Sequence, residues 1–123
     1  MIDDLHDTEL AILRQFVEVL ARGDAAEVNL WLERLIQHAE KHFHEEEAHM
    51  FRVKYPGLSA HWSEHADELR RMHDAQRAWE ADQDLMGLWC FVDQQYLSWM
   101  ERHTRKFDLP AAEFIKQFDE ADD

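Results

Sequence analysis

His42-Phe43-His44-Glu45-Glu46-Glu47-Ala48-His49-Met50 is the stretch that decides how this chain is read. It has no Gly or Pro, and its residues are mainly good helix formers. Four residues turn a helix by about 400°, so His42 and Glu46 point to one side, one turn apart. Upstream, Val28, Trp31, Leu32, Leu35 and Ala39 form an apolar stripe; Phe43, Met50 and Val53 carry it on. His42 and Glu46 therefore interrupt a face that should be buried. An unpaired carboxylate in a core is costly, so Glu46 needs a partner there. A metal is the most economical partner for several such groups at once.

Working outward, this helix is expected over residues 25–54, with Gly23 and Asp24 as stop and N-cap before it and Tyr55-Pro56-Gly57 as the break after it. A first helix is expected over 4–22, with Leu10, Leu13, Phe16, Val17 and Leu20 on one stripe. A third spans 59–81, with Leu69, Met72 and Trp79 apolar. A fourth spans 84–107, with Leu85, Leu88, Val92, Tyr96 and Trp99 on its stripe. A short tail helix at 111–118 follows Pro110. Four helices with short connections predict an all-α, up-down-up-down four-helix bundle with a short C-terminal helix. At 123 residues, with three Gly and two Pro, residues 1–123 read as one domain with a core of its own.

The formal charge is −14, which excludes nucleic acid and anionic membrane as partners because both need a basic surface. The acidic surface serves solubility first, and a docking face for a basic partner second. Cys90 is the one cysteine, so no internal disulfide can form. Beside Trp89 and Phe91 it reads as a buried structural thiol. With no signal segment or apolar span, the expected compartment is the cytoplasm.

Seven candidate ligands fall on the inward stripes: His6; His42 and Glu46; His61 and His65; His103 and Asp108. Five imidazoles and two carboxylates suit two iron ions better than one zinc. A ferritin-like site would want two Glu-x-x-His motifs, and only Glu46-x-x-His49 is present. Asp108 stands five residues after His103, about 500° on a straight helix, so the last turn is expected to unwind, forced by Pro110. Of the other histidines, His44, His49 and His73 are expected to face water, while His38, one turn before His42, could support it.

Ile2-Asp3-Asp4-Leu5-His6, the 42–50 stretch, His61-x-x-x-His65 and His103-x-x-x-x-Asp108 together resemble the hemerythrins, the bacterial single-domain type most of all. The resemblance covers nearly the whole chain and all seven ligand positions. It implies one iron held by His61, His65 and His103, and a second held by His6 and His42. Glu46, Asp108 and an oxo or hydroxo group would bridge them. An open position on the second iron would take dioxygen reversibly, as in an oxygen carrier, store or sensor.

The resemblance also implies a dry oxygen pocket, to which Phe43, Trp99 and Met100 match. Thr104 replaces a usual large aliphatic residue. Glu9, one turn after His6 on the ligand face, replaces a usual aliphatic one. Glu9 either points to water as a first-turn residue favoured by the helix dipole, or reaches the open iron as an extra ligand or a proton donor. The second case would turn the chain toward a di-iron peroxidase using Glu9 as acid and base. A redox- or oxygen-sensing regulatory module is a further alternative. The partners expected are dioxygen or peroxide and a redox partner protein.

Overall fold

In the computed structural model, backbone is described for residues 2–121 and side chains for residues 7–121. The described residues are all helix apart from the connections. Helix α1 spans Ile2–Arg22, α2 Ala25–Arg52 and α3 Leu58–Asp82. A fourth rod follows in three α segments, α4 Leu85–Cys90, α5 Leu97–His103 and α6 Leu109–Ala121. Two wide π turns, Phe91–Tyr96 and Thr104–Asp108, join them.

Local chemistry sets the breaks. Gly23 closes α1 at φ 73, a left-handed conformation that glycine takes without steric cost. Asp24 caps α2, its carboxylate accepting from the amides of Ala26 and Glu27 at 3.0 and 3.2 Å. Asp84 caps α4 by accepting from the Gly87 amide at 3.1 Å. These short connections fold successive helices back on one another. The helix α1 packs on α2 and α4, α2 on α3, and α3 on α4, which closes the four-helix bundle expected from the sequence.

The core is where the stripes meet. Leu13, Phe16 and Leu20 of α1 face Val28, Leu32, Leu35 and Ala39 of α2, with Met72 and Trp79 of α3 and Leu88, Val92, Tyr96 and Trp99 of the fourth rod. On α1, Val19 is buried and Val17 only half-buried, a small rotation of the expected stripe. Cys90 is half-buried, not enclosed as expected, because the core side of that turn is filled by Leu88 and Phe91. His49 is half-buried too, though it was expected to face water. No helix among the described residues is long and apolar enough to cross a membrane.

The largest departure is in the fourth rod. The sequence predicts that the turn before Pro110 unwinds and that a separate tail helix follows. The rod instead stays helical through to Ala121 and widens. The Leu109 amide donates to the Thr104 carbonyl, five residues back. An i→i+5 turn makes five residues one full turn, so Asp108 comes round to the side of His103 without any break. The proline ring clashes with the carbonyl four residues back in a regular helix. Here that residue, Lys106, lies in the wide turn, which makes room.

Phe16 is fully buried. Phe16→Ala should cost about 3–5 kcal/mol in urea unfolding, through lost burial and the cavity left behind. Exposed Glu18→Ala on the same helix should stay within about 0.5 kcal/mol.

Candidate metal centre

Helices α2, α3 and α5 and the second π turn send polar side chains into the bundle at one level. His42, Glu46, His61, His65, His103 and Asp108 are each at most 4% exposed. The helix α2 contributes His42 and Glu46, and α3 contributes His61 and His65, each pair one turn apart as their spacing demands. His103 ends α5, and Asp108 ends the π turn that follows. His6 is on α1, and its side chain lies outside the described residues.

The ligand atoms converge. His103 Nε2 lies 3.1 Å from both His61 Nε2 and His65 Nε2. Asp108 Oδ1 is 3.0 Å from His61 Nε2 and 2.9 Å from His103 Nε2. Glu46 Oε2 is 3.3 and 3.4 Å from the Nε2 atoms of His61 and His65. The other Glu46 oxygen, Oε1, pairs with His42 Nε2. One carboxylate thus divides its two oxygens between two sets of imidazoles.

These separations fit a metal. Atoms bound to one ion at about 2.1 Å, at right angles to one another, lie about 3 Å apart. Facing ring nitrogens cannot both donate to each other, so at most one of each pair is a donor there, and the ionised carboxylate oxygens beside them only accept. The donor atoms of Glu46, His61, His65, His103 and Asp108 all lie within 4.8 Å of one another, and the group could hold a metal ion. Glu9, His38 and His42 form a second such group beside it.

Three of the rings have a carboxylate near the outer nitrogen, while His61 Nδ1 has no hydrogen-bond partner among the described residues. Glu47 Oε2 sits 2.8 Å from His65 Nδ1. Glu9 Oε2 lies 3.4 Å from His42 Nδ1, and Glu64 Oε1 lies 3.7 Å from His103 Nδ1, too far for a direct bond. A carboxylate on the outer nitrogen fixes the tautomer, leaves Nε2 free for a metal and raises its basicity. The sequence reading missed Glu47 and Glu64; their adjacency to ligand positions in the chain was the available signal.

Glu9 does not point to water: it is 1% exposed, and the buried Tyr96 hydroxyl donates to its Oε1. Burial and the Glu9 charge push the Tyr96 phenol well above its ordinary range, so it keeps its proton. Glu68, one turn past His65, is also buried and takes a 2.9 Å bond from Arg71. Burial outweighs that arginine and pushes Glu68 up to about 7.

Aromatic rings pack the rest of the site. Phe43 stacks on His65 at 4.0 Å and 5°. His103 has Trp99 at 4.4 Å and Phe107 at 5.3 Å, both nearly parallel to it. Phe43 and Trp99 are buried. Met100 and Thr104 are half-buried and line a surface cavity of about 610 Å³ with Leu10, Leu97 and Leu109. His38 stands 6.0 Å from His42, His44 is exposed, and His73 pairs with Glu40 at 3.1 Å on the outside.

Residues 1–109 match the family model described as the hemerythrin HHE cation binding domain. No curated protein and no solved structure matches the chain.

Protons and carboxylates share the metal-free site. Burial alone would lower His42, but hydrogen bonds and charge from Glu46 and Glu9 outweigh it, and its pKa rises to about 10. His61 likewise rises to about 9, with Asp108 and Glu46 overcoming its burial. Burial would raise Glu46, yet bonds from His42, His61 and His65 bring it to about 2. The raised histidines stabilise the metal-free fold fully below 6.5, and that support is lost as pH rises through about 9 and 10. The lowered Glu46 supports it fully above 4.5, with loss as pH falls toward about 2. Thermal melts of metal-free protein should therefore peak between pH 4.5 and 6.5. A melting temperature that stays level up to pH 10 would refute this pairing.

Proposed function

The chain belongs to the hemerythrin family, and from that premise we propose that it holds two iron ions and binds dioxygen reversibly. His61, His65 and His103 would hold one ion, and His6 and His42 the other. Glu46 and Asp108 would bridge them together with an oxo or hydroxo group. Such a pair, with one open coordination position, supplies reversible two-electron binding of dioxygen.

The observation that carries this reading is the posture of Glu46. Its Oε1 faces His42 while its Oε2 faces His61 and His65. A carboxylate serving one ion has no need to address two groups of imidazoles. The mix of imidazoles and carboxylates suits iron among the divalent metals such a group could hold.

The remaining residues have separable tasks. Phe43 and Trp99, stacked on His65 and His103, keep water away from those rings. Glu47 and Glu9 orient His65 and His42 from behind. The cavity at Met100 and Thr104, lined also by Leu10, Leu97, Leu109, Glu101 and Arg105, opens on the surface between α1 and α5.

Reduction of peroxide is the second reading, with Glu9 handing on a proton as acid and base. Its support is the burial of Glu9 beside His42. Stopped-flow spectroscopy of the reduced, iron-loaded protein separates the two. Dioxygen binding predicts two irons per chain and a colour that fades under argon and returns with oxygen. A colour that decays irreversibly, faster with added peroxide, would overturn it in favour of the peroxidase. If Glu9 hastens the loss of bound oxygen, Glu9→Leu should lengthen the colour's lifetime. His103→Ala should lower the iron content below two, measured by metal analysis after gel filtration.

A further inference from the structure

Tyr96 has two links to the candidate metal centre. The first is hydrogen-bonded: its hydroxyl donates to Glu9, whose other oxygen lies 3.4 Å from His42 Nδ1. The second is stacked: its ring stands 6.3 Å from Trp99 at 21°, and Trp99 stands 4.4 Å from His103 at 13°. All five side chains are buried. The first π turn ends at Tyr96 and sets where the phenol points.

That pair of links is more than packing requires. A phenol gives up an electron readily only when its proton can leave at the same time. Tyr96 has an acceptor for that proton in a buried carboxylate. Trp99 differs: its Nε1 is buried and has no hydrogen-bond partner among the described residues. An indole that cannot shed its proton passes an electron on but does not keep the vacancy. Along this stack, the vacancy should therefore come to rest on Tyr96.

We propose that Tyr96 is an internal one-electron donor to the metal pair, with Trp99 carrying the electron and Glu9 taking the phenolic proton. This rests on the reading of the pair as iron. Hydrogen peroxide is the oxidant, and it needs two electrons and two protons to leave as two waters. A half-oxidised pair holds only one ferrous ion and can give only one electron. Tyr96 gives the second: its O–H bond breaks, the proton stays on Glu9, and a neutral phenoxyl radical remains. Both protons that peroxide needs come from solvent. Without that donor, the same encounter would yield ferric iron, hydroxide and a free hydroxyl radical. Tyr96 thus protects the centre from one-electron cleavage of peroxide.

The test uses iron-loaded protein brought to the half-oxidised state, checked by its mixed-valence EPR signal. It is mixed with one equivalent of hydrogen peroxide and frozen within seconds. The chain has two tyrosines, and Tyr55 packs against Phe114 of α6. A phenoxyl EPR signal should form in the unaltered protein and in Tyr55→Phe, and be lost in Tyr96→Phe. Glu9→Gln keeps an acceptor for the hydroxyl but no place for its proton, so most of the signal should be lost with Tyr96 still present. A spin trap followed by peptide mapping should label Tyr96, a readout that holds even where Tyr96→Phe does not fold. The proposal is overturned if the signal survives Tyr96→Phe, if Glu9→Gln gives full yield, or if the mixed-valence signal disappears with no phenoxyl formed. An iron content below two per chain in the loaded protein would overturn the iron reading, and this proposal with it.

Discussion

Everything in this bundle is arranged around Glu46, a carboxylate only 4% exposed with its two oxygens turned toward different imidazoles. Burying a charge is tolerable only when it is closely partnered. Here the partners come from α2 and α3, with His103 and Asp108 of the fourth rod close behind. No single helix could satisfy the group alone. The requirement holds the helices at one level and in one rotation, and the apolar stripes then fill the space above and below. Neighbouring carboxylates on the outer ring nitrogens extend the same logic toward the surface, where Glu47 and Glu64 are partly wet and Glu9 is not.

The parts legible in the sequence were those that a regular helix translates directly into position. His42 with Glu46 and His61 with His65 are four residues apart, and four residues on a helix mean one face. The apolar stripes gave the bundle for the same reason, and Gly23-Asp24 and Tyr55-Pro56-Gly57 marked the breaks. His103 and Asp108 were harder. Their five-residue spacing fits no regular helix, and a proline beyond them suggests fraying. Whether a helix unwinds or widens depends on what its neighbours offer to a buried carboxylate, and the imidazoles of α3 were there to receive it.

What could not be read was contact between helices at a distance in sequence. Glu9 and Tyr96 are 87 positions apart, and nothing local to either announces the bond. Read from the sequence, Glu9 can be a first-turn acid facing water, but α1 begins at Ile2 and places it two turns in, beyond the reach of the helix dipole. It is drawn inward because His42 and a phenol wait there. Glu68 is a similar case, an acid on the inward face of α3 that Arg71 accompanies from the surface.

The wide turn between Thr104 and Asp108 has a consequence for how such a chain can vary. It holds one residue more than an α turn would in the same place, so it behaves like an insertion absorbed on the spot. The rod beyond it keeps its phase with the rod before it. A sequence that gains or drops one residue there need not re-register α6, and the docking of α6 on α2 through Arg52 and Asp119 can persist while the ligand loop drifts. The same slack that lets the metal site close would then also be the place where descendants of this chain differ in length.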